Sequence, residues 1–68
     1  MTAQDLKEAR LKLGLTQQQL GDELHLSRVA IGLMERGTKP VVRRTDLSMR
    51  YLLIEAGLLR VNYATGRR

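Results

Sequence analysis

The sequence predicts a compact all-α domain of four short helices, five at most, followed by a C-terminal extension that reads as a short strand. Three observations predict it. Apolar residues recur at helical spacing through most of residues 3–56. Residues that start helices, Thr2, Thr16, Ser27 and Thr45, stand ahead of four such stretches. Glycines that stop helices, Gly14, Gly37 and Gly57, follow three of the four.

The first helix is predicted over Thr2 to Leu13. Leu6, Ala9 and Leu13 make one apolar stripe. Thr2 is placed as the N-cap, and Asp5 lies in the first turn, where a negative charge is favoured. The second helix carries the clearest start signal. Thr16 and Gln19 form a T-x-x-Q capping box, and Leu15 and Leu20 flank it as a hydrophobic staple. Leu20 and Leu24 point inward together. Gly21 is a poor helix former, which predicts that another helix crosses closely there.

His25 and Leu26 form a tight turn, and Ser27 caps the third helix. Leu26 and Ile31 repeat the staple. Two helices so closely joined cross steeply rather than lie antiparallel. On the third helix Ile31 and Met34 share a face. Val29, Gly32, Leu33 and Arg36 fall on the other, and Arg28 projects from the first turn. Scattered apolar residues on a surface are ordinary. A mid-helix glycine costs about 1 kcal/mol relative to alanine, which predicts a bulky partner against Gly32.

After Gly37, Thr38-Lys39-Pro40 reads as a turn and residues 41–44 as an exposed basic connector. Thr45 is expected to cap a fourth helix running to about Ala56, with Gly57 as its stop. Leu59, Val61 and Tyr63 alternate with Arg60 and Asn62, which favours a strand over a loose extension. The final Gly66-Arg67-Arg68 is expected to be disordered. Residues 1–57 thus form the domain and 58–68 an extension.

Composition narrows the function. Sixty-eight residues allow one small core and no second domain. The absence of Cys removes disulfides and thiolate metal sites, and a lone His25 cannot hold a metal. No cofactor is expected. No nucleophile and base can be paired from this inventory, which argues against an enzyme. With no Trp and no Phe, stacking of single-stranded bases is disfavoured. No apolar run approaches the roughly 20 residues of a membrane span. The N-terminus lacks a signal peptide's apolar segment, so a cytoplasmic location is expected.

The net charge of +5 is unevenly spread. Residues 1–35 sum to −1 and residues 36–68 to +6, the latter through Arg36, Lys39, Arg43, Arg44, Arg50, Arg60, Arg67 and Arg68 against Asp46 and Glu55. A basic half that begins where the third helix ends favours a nucleic-acid partner over a merely solubilising surface.

At Gln17 to Arg36 the sequence resembles the Cro/repressor-type helix-turn-helix family, also called the XRE family. The likeness covers roughly residues 3–56. It rests on Arg10, on Leu15-Thr16-Gln17, on the small residue Gly21, on Ser27 and Ile31, and on Glu35-x-Gly37 followed by Pro40. Two features depart from the family pattern. His25 stands where the family usually has glycine, and no fifth helix is evident after Gly57. The strand-like ending is similar to Cro-like proteins that pair through a C-terminal strand.

The resemblance implies a lambda-repressor-like fold that binds double-stranded DNA in a sequence-specific way. It also implies a small phage or mobile-element regulator, most often an autoregulatory repressor. In that fold the third helix enters the major groove. Arg28 is then the candidate for a bidentate guanine contact, with Val29 and Leu33 against thymine methyls and Gly32 permitting close approach. Thr16, Gln17 and Gln18 at a helix N-terminus favour phosphate. Arg36, Thr38, Lys39, Arg43 and Arg44 would grip the backbone, and Ser27 would cap or contact phosphate. Arg10 and Glu35 would form an internal ion pair. No small-molecule ligand and no membrane partner are expected.

A homodimer is expected because the fourth helix is apolar all round. Leu47, Tyr51, Ile54 and Leu58 form one stripe, and Met49, Leu52, Leu53 and Ala56 the opposite one. The domain can cover only one side. We assign the second stripe, with Leu59, Val61 and Tyr63, to the dimer contact, the first stripe being the alternative. A twofold pair would select a palindromic operator with half-sites roughly 34 Å apart. The rival readings are an antitoxin or protein-docking module, using Val29 and Leu33, and a nonspecific DNA-packaging protein.

Overall fold

A computed structural model describes residues 1–59 of the chain as four helices. They are α1 (Ala3–Lys12), α2 (Gln17–Leu24), α3 (Arg28–Glu35) and α4 (Arg43–Glu55). No strand occurs among the described residues. The strand expected from Leu59 onward, with Val61 and Tyr63, lies outside the described residues except for Leu59 itself, which is exposed.

Local chemistry starts the first three helices. The Thr2 hydroxyl accepts from the Asp5 amide, and the Asp5 carboxylate accepts from the Thr2 amide, closing a capping box on α1. Thr16 and Gln19 close the same box on α2. The Ser27 hydroxyl accepts from the Ala30 amide at the start of α3. Each box or cap satisfies amides that a helix end leaves unpaired.

The turn between α2 and α3 passes through His25 in the left-handed conformation, φ 59. It is the one non-glycine residue at positive φ among the described residues, and His is among the types that tolerate it. The chain then doubles back on Gly21, whose carbonyl accepts from the Leu26 amide at 2.8 Å. This corrects the expectation for Gly21. What a side chain there would meet first is the turn and the cap of α3, not the body of a crossing helix. Its Cβ would stand 2.4 Å from the Leu26 carbonyl oxygen, so the turn's own backbone demands the glycine.

Leu6, Ala9, Leu20, Ile31, Met34 and Met49 form the core, with Leu15, Leu24, Leu26, Leu52 and Leu53 packed around them. Here α4 departs from expectation in two ways. It starts at Arg43 after Val42, with its first internal bond from the Asp46 amide to the Val42 carbonyl. Thr45 is therefore not the cap. It sits inside the first turn, 6% exposed, and no side chain caps the helix. Arg43 and Arg44 consequently belong to the helix rather than to a connector.

The second departure concerns the sides of α4. Met49, assigned above to a partner chain, is completely buried in the protein's own core. Leu52 and Leu53 pack against that core as well, and Ala56 is exposed at the helix end. The uncovered side is the other stripe, with Leu47 52% and Tyr51 60% exposed. The inward side is decided by where α1 and α3 present Leu6 and Ile31, which no wheel of α4 alone contains. The N-terminal amine of Met1 also reaches this helix, bonding Asp46 at 2.9 Å beside Arg50.

Candidate nucleic-acid interface

Helix α3 is held rigidly from behind. Arg10 of α1 donates from Nε to Glu35 Oε2 at 2.6 Å and from Nη2 to Oε1 at 3.1 Å. Its third donor, Nη1, bonds the Leu15 carbonyl at 2.9 Å. The side chains of Arg10 and Glu35 are only 11% and 4% exposed. Glu35 accepts a further bond from the Gln17 amide group at 3.1 Å. One carboxylate thus ties α1, α2 and α3 together. Burial by itself raises the Glu35 pKa, but the hydrogen bonds from Arg10 and Gln17 outweigh it and leave the group below its ordinary value.

That bond relocates Gln17. Read from sequence it belongs to a phosphate contact, yet its side chain is half-buried and directed at Glu35. No sequence signal marks the pairing, because the partners are 18 residues apart on different helices. What remains open at the start of α2 is backbone. The Thr16 carbonyl receives the first helical bond from Leu20, and the Thr16 hydroxyl receives the Gln19 amide. The Gln17 and Gln18 amides take part in neither bond, and two such amides at a helix N-terminus suit an anion. Gln18 is exposed, its side chain resting on Asp22.

The outer side of α3 presents Arg28 and Val29, both exposed, with Val29 at 59%. Ser27 ahead of them is exposed and occupied as the cap. Leu33 is half-buried. Gly32 is not the open notch that the sequence suggests. It is buried beneath its own neighbours, and a Cβ there would lie 3.3 Å from Arg36 Nη1 and 3.7 Å from Gln17 Oε1. In the free chain the space left by the missing side chain is taken by Arg36, folded back along the helix beside Gln17.

The cations expected on a phosphate backbone are all exposed: Arg36, Lys39, Arg43 and Arg44, with Thr38 among them. The Thr38 and Lys39 amides both turn back to the Leu33 carbonyl, which fixes the loop that carries them. Arg43 and Arg44 stand in the first turn of α4, where positive charge opposes the helix dipole at a typical cost of about 0.3–1 kcal/mol each. An anion bound at that helix end removes the conflict. Leu52 and Leu53 belong to the core rather than this surface, and no described helix is long and apolar enough to cross a membrane.

A family model described as Helix-turn-helix matches residues 6–52. No curated protein and no solved structure matches the chain. The matched stretch begins at the first core residue of α1 and ends within α4, so it takes in the whole Arg10–Gln17–Glu35 network and Arg28, Arg36, Lys39, Arg43 and Arg44.

Proposed function

The chain belongs to the Cro/XRE-type helix-turn-helix family of DNA-binding transcription regulators, and from that premise we propose that it is an autoregulatory repressor reading an inverted-repeat operator as a homodimer. The observation that carries the reading is the exposed pair Arg28 and Val29 in the first turn of α3, on a helix braced from behind by Glu35. Arg28 has the fork geometry to take guanine O6 and N7, and Val29 an apolar surface for a thymine methyl. The free amides of α2, with Arg36, Lys39, Arg43 and Arg44, hold the phosphates and set the register.

The homodimer reading moves to the outer side of α4. Leu47, Tyr51, Ile54 and Leu58 make an apolar stripe that this chain leaves largely uncovered. A second copy meeting it across a twofold axis would place two recognition helices on successive major grooves, roughly 34 Å apart. Footprinting on DNA flanking the protein's own coding sequence tests the whole reading. Protection of a palindromic site at physiological salt is the expected result. Equal protection of all sequences, or none, would replace it with nonspecific packaging or with protein docking.

A further inference from the structure

A groove of about 800 Å³ runs between the α2–α3 turn, one side of α3 and the first turn of α4. That volume lies within the range of small-molecule pockets, about 300–1,000 Å³. Its lining is mainly apolar: Leu24, Leu26, Ala30, Met34 and Val42. His25, Lys39 and Arg44 stand at its polar edge. Neither Lys39 nor Arg44 is in an ion pair among the described residues.

Two independent features point to an anionic head group. First, the 13-residue α4 has no side-chain cap at Val42, and its internal bonding begins only at Asp46, so the Arg43, Arg44 and Thr45 amides precede it. Second, Thr45 lines the groove while 6% exposed, and its hydroxyl forms no hydrogen bond among the described residues. A buried hydroxyl left unpaired is costly, and a ligand oxygen in the groove would relieve it. An apolar lining, a free helix end and an unpaired hydroxyl together describe a site for a molecule that is apolar at one end and anionic at the other.

We propose that this groove binds a small amphipathic carboxylate, its head group on the start of α4 and Thr45, its hydrocarbon part against Leu26 and Met34. The site requires no separate sensing domain. Lys39 and Arg44 also serve the proposed DNA grip, so the ligand and a phosphate would compete for them. The site itself does not depend on DNA binding.

The test uses the free full-length protein, ¹⁵N-labelled, titrated with octanoate and separately with octan-1-ol. Octanoate should shift the Arg43, Arg44 and Thr45 amides saturably, together with Leu26 and Met34, while octan-1-ol should leave the α4 amides unsaturated. Thr45→Val should melt at the same temperature or higher, because it deletes an unpaired hydroxyl. It should bind octanoate about tenfold more weakly, the scale of one hydrogen bond to a charged group. Arg44→Gln should also weaken binding. Shifts confined to Leu47, Tyr51 and Leu58 would mark detergent-like adsorption and overturn the site. Unchanged octanoate affinity in Thr45→Val would overturn it too, as would a marked fall in that variant's melting temperature, which would reveal a partner within the chain. Failure of the operator footprint would leave the groove standing, and failure of the octanoate titration would leave the DNA reading standing.

Discussion

Arg10 and Glu35 meet through two parallel hydrogen bonds, 2.6 and 3.1 Å, between the first helix and the last residue of the third. Fork-on-fork geometry of this kind fixes orientation as well as distance. The pair is buried, and the remaining nitrogen of Arg10 donates to the Leu15 carbonyl, so each guanidinium nitrogen makes a hydrogen bond. Such a pair resists loss of one partner much more than its net contribution suggests.

Arg10→Met should therefore destabilise the fold by about 3–5 kcal/mol, because it strands the Glu35 carboxylate away from water. Lys12→Met, on an exposed position of the same helix, should stay within about 0.5 kcal/mol. Urea unfolding of the two variants reads the difference directly. Equal midpoints would mean that Glu35 is adequately solvated without its partner.

Acid should weaken the fold through the same carboxylate. The Glu35 pKa lies below its ordinary value, and so does that of Asp46, which is held down first by the Met1 ammonium and then by Arg50. A carboxylate with a depressed folded pKa contributes stability that is complete above the unfolded value, about 4 for these groups. That stability is lost as pH falls through the folded values. The urea midpoint should be flat from about pH 7 to 5 and fall steeply below about pH 4. The double variant Arg10→Met, Glu35→Gln should show a shallower fall. An identical pH profile in both proteins would remove Glu35 from the account.

The two buried helix glycines should respond oppositely to alanine. Gly21→Ala drives a methyl into the Leu26 carbonyl, backbone that cannot swing aside, and should cost about 1–3 kcal/mol. Gly32→Ala meets only the tip of the Arg36 side chain and gains up to about 1 kcal/mol of helix propensity, so its stability should hold or rise. Thermal melts of both variants decide it. A Gly32→Ala protein as damaged as Gly21→Ala would show that Arg36 cannot move from its place over the glycine.

On DNA the cations should separate into readers and grippers. Arg28→Ala should cost about 1–3 kcal/mol on the operator and relax preference at one base pair. Lys39→Ala should weaken operator and scrambled duplexes alike and reduce the salt slope by about one. Anisotropy titrations at several salt concentrations distinguish them. Parallel losses for both variants on both duplexes would make Arg28 a phosphate contact.

Self-association should depend on the outer side of α4. Leu47→Glu places a charge on an exposed position and should leave a folded monomer at micromolar concentration, as read by sedimentation. Leu53→Glu should instead disturb the fold, because Leu53 packs on the core. A Leu47→Glu protein that sediments as the wild type, still as a dimer, would place the contact elsewhere.

What the sequence determined by itself is the part of the fold written within four residues. Thr2 with Asp5, Thr16 with Gln19, and Ser27 with the Ala30 amide are local bonds between a side chain and nearby backbone, so spacing alone reveals them. The positive charge and the stops at Gly37 and Gly57 are equally local. Tertiary structure decided everything that depends on what lies opposite. It turned Met49 inward and left Leu47 and Tyr51 outside, although α4 is apolar on both sides. It pulled Gln17 onto Glu35, set the Leu26 carbonyl against Gly21, and buried Thr45 where a cap was expected. A helical pattern states which residues share a face; only the packing of other helices states which face loses its water, because burial belongs to the pair of surfaces and not to either one.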